Sequence, residues 1–182
     1  MKKEKRSSFM SGVIAALVLV LIDRVTKIAA VSQLKGKDPF VIIDGVFELH
    51  YLQNTGAAFG IMQGRQSFFY IITVAVLAVI VYIYFKMPSE KKFRFLKIIL
   101  VFIFSGALGN FIDRAAQGYV VDFFYFSLID FPIFNVADIY VTCSTILLII
   151  LVLFYYKDDD LGKLMNSLKP FGGKRKESDG RR

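Results

Sequence analysis

Apolar residues in this chain come in long unbroken runs separated by short polar segments, and that spacing predicts membrane-crossing helices. A bilayer core takes about 20 mostly apolar helical residues. The first run covers residues 10–31 and is apolar to Ile22, after which Asp23, Arg24, Thr26 and Lys27 interrupt it. The second, 68–85, and the fourth, 139–156, carry no charge, and the third, about 95–112, holds only Lys97. The pattern predicts an α-helical integral membrane protein with four transmembrane helices. Between the first two runs the period changes to two. Phe47, Leu49 and Tyr51 alternate with Val46, Glu48 and His50, as a half-buried strand would. With Phe40-Val41-Ile42-Ile43 before it and Asp44-Gly45 as a two-residue turn favouring positive φ, residues 40–53 read as a β-hairpin. It is expected to lie on the outer surface as a small extracytoplasmic β-sheet cradle.

Composition narrows the class. Of 182 residues 55% are hydrophobic and 21% charged, below the roughly 25% of soluble domains. That excludes a soluble globular enzyme and a disordered chain. Four spans also leave little for a second core, so residues 1–156 are read as one membrane domain. The first run starts with Lys2, Lys3, Lys5 and Arg6, as a signal peptide does, but no small-x-small cleavage pattern follows cleanly, and a retained helix is expected. The net charge of +8 accompanies bilayer flanks and calls for no nucleic acid. If both termini are cytoplasmic, 17 of the 23 Lys and Arg lie inside, in residues 1–6, 86–97 and 157–182. Residues 157–182 then form a charged cytoplasmic tail, polar and glycine-containing, expected to be disordered and to touch anionic lipid. The single Cys143 lies in an apolar run, so no internal disulfide or cysteine cluster exists, and core packing is its expected role.

Charged groups in hydrocarbon cost about 2.5–3.5 kcal/mol each on insertion scales, so those inside the runs need a reason. They share one depth. Asp23 lies toward the outer end of the first span, Asn110, Asp113 and Arg114 at the outer end of the third, Asn135 and Asp138 at the outer start of the fourth, and Asp122 in the short outer loop. Each has a plain structural explanation beside a functional one. Asp23 and Lys27 are spaced i,i+4 and can pair on the helix surface. Asn135-x-x-Asp138 has the spacing of a helix N-cap with an acidic third residue. Asp122, within Val120-Val121-Asp122-Phe123-Phe124, has no local partner and, if it alternates as a strand, needs a polar site opposite Val121 and Phe123.

Elimination then points to the acids. His50 is the only histidine and stands in the hairpin, no Gly-x-Ser-x-Gly or His-Glu-x-x-His occurs, and no glycine-rich nucleotide loop follows a strand. No metal or cofactor is implied. Two aspartates sharing a proton split roles: the ionised one takes a proton from attacking water, the protonated one polarises the carbonyl. Asp122 and Asp138 are the best such pair, and Asp113, beside Arg114, suits structure. Two rival classes remain open: a small membrane transporter or channel with an acidic polar site, and a non-catalytic assembly factor using the cluster for helix association.

Five segments in order resemble the lipoprotein signal peptidases, also called signal peptidase II: Asp23-Arg24-Val25-Thr26-Lys27, Asn54-Thr55-Gly56-Ala57-Ala58-Phe59-Gly60, Gly109-Asn110-Phe111-Ile112-Asp113-Arg114, Val120-Val121-Asp122-Phe123 and Phe134-Asn135-Val136-Ala137-Asp138. The resemblance covers residues 23–138. It implies an aspartyl endopeptidase of the bacterial cytoplasmic (inner) membrane that removes signal peptides from diacylglyceryl-modified prolipoproteins, cutting just before the lipidated lipobox cysteine. The family's catalytic pair maps onto Asp122 and Asp138. Asp23, Lys27, Asn54, Gly56, Asn110, Asp113, Arg114, Asn135 and Ala137 match its other positions, to orient the pair or hold substrate, with Asn54 and Arg114 as expected donors to substrate carbonyls. The hairpin would cover the site, and residues 115–119, with the Gly118-Tyr119 break, would form a lid.

Overall fold

A computed structural model of the chain describes residues 2–56 and 66–169, and the side chains of 7–56 and 67–169. Ala57 to Gly60 of the second segment, Arg65 and the tail beyond residue 169 lie outside the described residues.

Helix α1 (Lys2–Leu34) leads into strands β1 (Phe40–Ile43) and β2 (Phe47–Asn54). Helices α2 (Gln66–Lys86) and α3 (Arg94–Gln117) follow, then strand β3 (Val120–Tyr125), helix α4 (Val136–Ile150), and a short helix α5 (Asp158–Leu168). A π-helical turn, Leu151–Tyr155, extends α4. Three helical stretches, Ser67–Lys86, Lys91–Gln117 and Val136–Tyr155, are long and apolar enough to cross a bilayer among the described residues.

The ends of these helices follow their residues. Gly36, at φ +72°, ends the turn after α1, and Pro88 stands two residues past α2. Gly118, at φ 80°, caps α3 by donating its N–H to the Arg114 carbonyl. Asn135 opens α4 with a capping box: its side-chain oxygen accepts from the Asp138 N–H (3.1 Å), and the Asp138 carboxylate accepts from the Asn135 N–H (3.0 Å). The N-cap spacing read from sequence is therefore real.

α3 is the central helix, packed against α1, α2 and α4. Two glycines allow this. A Cβ on Gly106 would lie 2.4 Å from the Ala137 carbonyl oxygen, and one on Gly109 would lie 2.5 Å from the Asp23 carboxylate. Small residues at helix crossings are the usual means of close packing in a bilayer. One apolar cluster, with Phe93, Met87, Leu96 and Tyr156, fills the end near α5, and another, with Ala30, Leu34, Val121 and Phe123, joins α1 to the sheet.

The expected hairpin is part of a three-stranded antiparallel sheet, order β1-β2-β3. Its turn is longer than the two residues expected: residues 44–46 connect the strands, Val46 N–H donates to the Ile43 carbonyl, and Gly45 alone takes positive φ. The register slips at Val41/Ile43 to absorb the extra residue. Leu49 and Tyr51 pack on the α1–sheet cluster, while Glu48 and His50 pair with each other on the opposite face.

Four expectations are corrected. Asp122 is not in a loop: it stands in β3, whose strand partner is β2. Residues 115–117 are the last turn of α3, and Gly118 passes almost directly into β3, so no free segment remains there as a lid. The stretch after residue 157, expected disordered, begins with α5, because Asp160 accepts from the Lys157 N–H and from Lys92, and Leu161 and Leu164 pack on the α2–α3 cluster. Cys143 is exposed rather than packed in a core, because α4 turns that face outward.

Candidate active site

The acidic plane anticipated from sequence is a connected network. From α1, Lys27 sends its ammonium to Asp23 (2.9 Å), Asp113 (2.7 Å) and the Asn110 side-chain oxygen (2.8 Å). Arg24 pairs with the other Asp113 oxygen. Asp23 and Asp113 are fully buried and Lys27 nearly so, which removes this pair from the helix surface where i,i+4 spacing alone would leave it. Asp23 also accepts from the Ala137 backbone N–H (3.1 Å), tying α1 to the first turn of α4. Two cations and a carboxylate of α1, a carboxylate of α3 and a backbone N–H of α4 thus hold the three helices at one level. Such buried ions persist only when paired and hydrogen-bonded.

Asp122 and Asp138 sit beyond this scaffold and are held mainly by carboxamides. Asp122 accepts from the Asn54 side chain (2.8 Å) on one oxygen and from Asn135 (2.6 Å) on the other. Asp138 accepts from the Asn110 side chain (2.8 Å) and from the Asn135 backbone N–H. Asn135 therefore binds both aspartates, one through its amide and one through its backbone. Lys27 fixes the orientation of Asn110: with its carbonyl oxygen held by the ammonium, its NH2 faces Asp138. The register that pairs Leu52 with Asp122 and Asn54 with Val120 brings Asn54 to the acid. Opposite Asp122, Val121 and Phe123 enter the apolar cluster, as the alternation required.

Burial is the largest influence on Asp122, and with the neighbouring negative charge of Asp138 it pushes this carboxyl up to about 6; the Asn54 and Asn135 hydrogen bonds pull the other way. An acid that stays partly protonated near neutrality is suited to proton transfer.

Both aspartates line a cavity of about 560 Å³. Asn54, Asn110 and Arg114 stand with the hydroxyls of Thr73 and Thr142 among its other polar groups, Phe69, Phe131, Phe134 and Ile139 are among its apolar walls, and Cys143 also lines it. The Arg114 guanidinium lies 5.1 Å from the Phe69 ring and donates to the Gly56 carbonyl (2.9 Å). Gly56 N–H donates in turn to the Asn54 side-chain oxygen (2.9 Å). Asn54 and Arg114, expected as donors to substrate, thus hold partners within the chain, while the buried Arg114 Nε has no acceptor among the described residues.

All eleven candidate residues fall in this one region. Asp23, Lys27, Asp113 and Ala137 form the scaffold, and Asn54, Gly56, Asn110, Arg114 and Asn135 border the two aspartates. Sequence reasoning passed over Arg24, the Asp113 partner, although it stands beside Asp23. It also passed over Tyr70, whose hydroxyl donates to the Arg114 carbonyl (2.7 Å); nothing in its apolar run marks it. His50 is spent on Glu48 (2.8 Å) and the Tyr125 ring, away from the cavity.

A family model described as signal peptidase (SPase) II matches residues 15–154. A lipoprotein signal peptidase of Clostridium tetani (strain Massachusetts / E88) is 43% identical over 140 residues, 75% of this chain and 88% of that protein. One of Streptococcus pyogenes serotype M5 (strain Manfredo) is 40% identical over 150 residues, 82% and 95%. A bacterial membrane enzyme solved by the in meso method at 2.3 Å resolution superposes with a TM-score of 0.72 at 39% identity, covering 79% of this chain and 87% of that one. A second, solved at 1.9 Å, gives 0.69 at 38%, covering 80% and 94%. These likenesses do not favour a transporter or channel. The chain belongs to the signal peptidase II family.

Proposed function

We propose that this chain is an aspartyl endopeptidase that removes signal peptides from diacylglyceryl-modified prolipoproteins, cutting just before the lipidated cysteine, with Asp122 and Asp138 as its catalytic pair. The observation that carries this reading is the pair itself: two aspartates from different elements, bridged by Asn135, facing one cavity with largely apolar walls. One carboxylate accepts a proton from water as the water oxygen attacks the scissile carbonyl carbon. The other, protonated, gives its proton to the carbonyl oxygen. When the resulting diol collapses, the C–N bond breaks, a diol proton returns to a carboxylate, and the leaving amine takes the proton first removed from water. Asn54, Asn110 and Asn135 hold the carboxyl groups by donating to them without adding charge. Asp23, Lys27, Asp113 and Arg24 fix the depth of the helices.

The topology belongs to the same proposal. α1 is the fourth span, since it presents Ile14, Leu17, Leu21 and Ile28 outward over more than half of their surface. Positive charge at residues 86–97 and 157–182 favours cytoplasmic termini, with the cavity near the outer leaflet. A lipidated substrate then reaches it laterally, and the exposed apolar strand β1 rests on the same membrane face. Residues 1–156 act as the peptidase unit, with the remainder on the cytoplasmic side.

The test is incubation of the purified protein with a diacylglyceryl-modified prolipoprotein. Cleavage is expected before the modified cysteine and is expected to vanish in Asp122→Asn and in Asp138→Asn. Full cleavage by either variant would refute the pair.

A further inference from the structure

At the opposite end from the aspartates, a second cavity of about 280 Å³ opens between α1, α2 and α3. Its α1 wall is Phe9, Gly12, Val13 and Ala16, spaced as one helical stripe. Its α3 wall, Leu100, Val101 and Phe104, has the same spacing. Buried Ile80 and Leu100 form its floor, and the rings of Phe9 and Phe85, 5.1 Å apart, form an exposed lip. The groove is apolar and opens sideways, toward the space that hydrocarbon occupies around a membrane helix.

Along the α3 stripe the next residue back is Lys97, three before Leu100 and four before Val101, so the wall passes from apolar to cationic within one turn. Its ammonium lies 5.8 Å from the ring of Tyr84, which also lines the groove. The Tyr84 hydroxyl donates to the Ser8 carbonyl (2.9 Å) and closes that end between α1 and α2. Lys86 stands nearby over Tyr82, and residues 86–97 carry five basic residues against one acid, Glu90. On α1, the positions one turn before Phe9 are Lys5 and Arg6.

We propose that this groove binds one anionic glycerophospholipid of the leaflet facing the 86–97 connection. An acyl chain lies against Val13, Ala16 and Leu100, and the phosphate meets Lys97 and its basic neighbours. The chemistry on the page selects this occupant: apolar walls suit a hydrocarbon chain, and a basic rim at one end only suits a negative headgroup at the interface. The inference requires α1 in the bilayer but not the peptidase chemistry, which lies at the other end of the helices.

The test is native mass spectrometry of the detergent-purified chain with phosphatidylglycerol and phosphatidylcholine of the same acyl chains. The wild type is expected to retain one phosphatidylglycerol at least fivefold over phosphatidylcholine. Val13→Trp, which fills the groove, is expected to lose that lipid, and Ala16→Phe serves if the tryptophan variant does not fold. Lys97→Gln is expected to bring the two lipids to equal retention. Prolipoprotein cleavage, measured on each variant as a check on folding, is expected to stay within twofold of wild type. Equal retention of both lipids by the wild type would overturn the inference. So would undiminished phosphatidylglycerol binding in a folded groove-filling variant, or a dimer in place of the lipid-bound species.

Discussion

Replacing Lys27 by methionine keeps the length and apolar stem of the side chain and deletes its charge. The ammonium serves three oxygens at 2.7 to 2.9 Å in a site closed to water. The loss is unequal among them. Asp113 keeps Arg24, and Asn110 keeps the Asn135 amide (3.2 Å). Among the described residues Asp23 keeps only the Ala137 N–H, on its other oxygen. A fully buried carboxylate left in that state costs about 3–5 kcal/mol. At about 2–4 °C per kcal/mol for a chain of this size, the midpoint falls by roughly 6 to 20 °C. Adding Asp23→Asn removes the orphaned charge, so the double variant is expected to recover to within about 1 kcal/mol of wild type. Cleavage should not recover fully with it, because the Asn110 carbonyl then loses the shorter, charged contact that fixes its NH2 toward Asp138 and is left with the 3.2 Å Asn135 amide alone among the described residues. Thermal unfolding in detergent, followed by tyrosine fluorescence since the chain has no tryptophan, measures the first part, and prolipoprotein cleavage the second. A double variant as unstable as the sum of both single losses would refute the charge-orphan reasoning. Full activity in Lys27→Met would refute the orientation of Asn110 by Lys27.

Three further outcomes follow from the same geometry. Asp122, raised to about 6 in the folded chain, contributes stability that is fully present below its unfolded value near 4 and is lost as pH rises through about 6. The wild type should therefore lose roughly 3 kcal/mol between pH 4 and pH 8 relative to Asp122→Asn, read as the difference between their pH–stability curves; parallel curves would contradict it. Gly106→Ala drives a methyl to within 2.4 Å of the Ala137 carbonyl, so it should cost about 1–3 kcal/mol and lower cleavage by displacing the turn that carries Asp138, both measurable on the same preparation. Asn135→Ala removes the cap of α4, worth about 0.5–2 kcal/mol, and the amide on Asp122; a cleavage loss much larger than the stability loss is expected, and equal losses would leave Asn135 as a cap alone.

What the sequence made legible was what periodicity and charge report locally. Three uncharged or nearly uncharged runs are helices of spanning length, Asn135 caps α4 at the spacing read, and Asp122 alternates with Val121 and Phe123. Most of the candidate residues were legible because their polar groups interrupt apolar runs, as Asp23, Lys27, Asn110 and Asp122 do, or open an element, as Asn135 and Asp138 do. Partnerships were not legible. Asn54 reaches Asp122 only through the β2–β3 register, which is set by a bulge between Leu49 and Leu52. Arg24 was overlooked because an arginine beside an aspartate looks like its neighbour's partner, although α-helical geometry sends it toward Asp113 on another helix. The ordered α5 escaped notice because its polar composition hides two leucines, Leu161 and Leu164, that dock on a core built elsewhere in the chain.

Gly118 gives one of these junctions a further consequence. A single left-handed residue turns α3 into β3 with almost no slack, so Asp122 is carried on a short rigid arm anchored by the Asp113 and Arg114 turn. The count of residues from Asp113 to Asp122 therefore acts as a ruler. Strand side chains alternate by face, so inserting or deleting one residue in β3 before Asp122 would turn the carboxylate into the apolar cluster and a valine or phenylalanine toward the cavity. Substitutions along this arm change its fit, whereas a change in its length changes which chemical group is delivered.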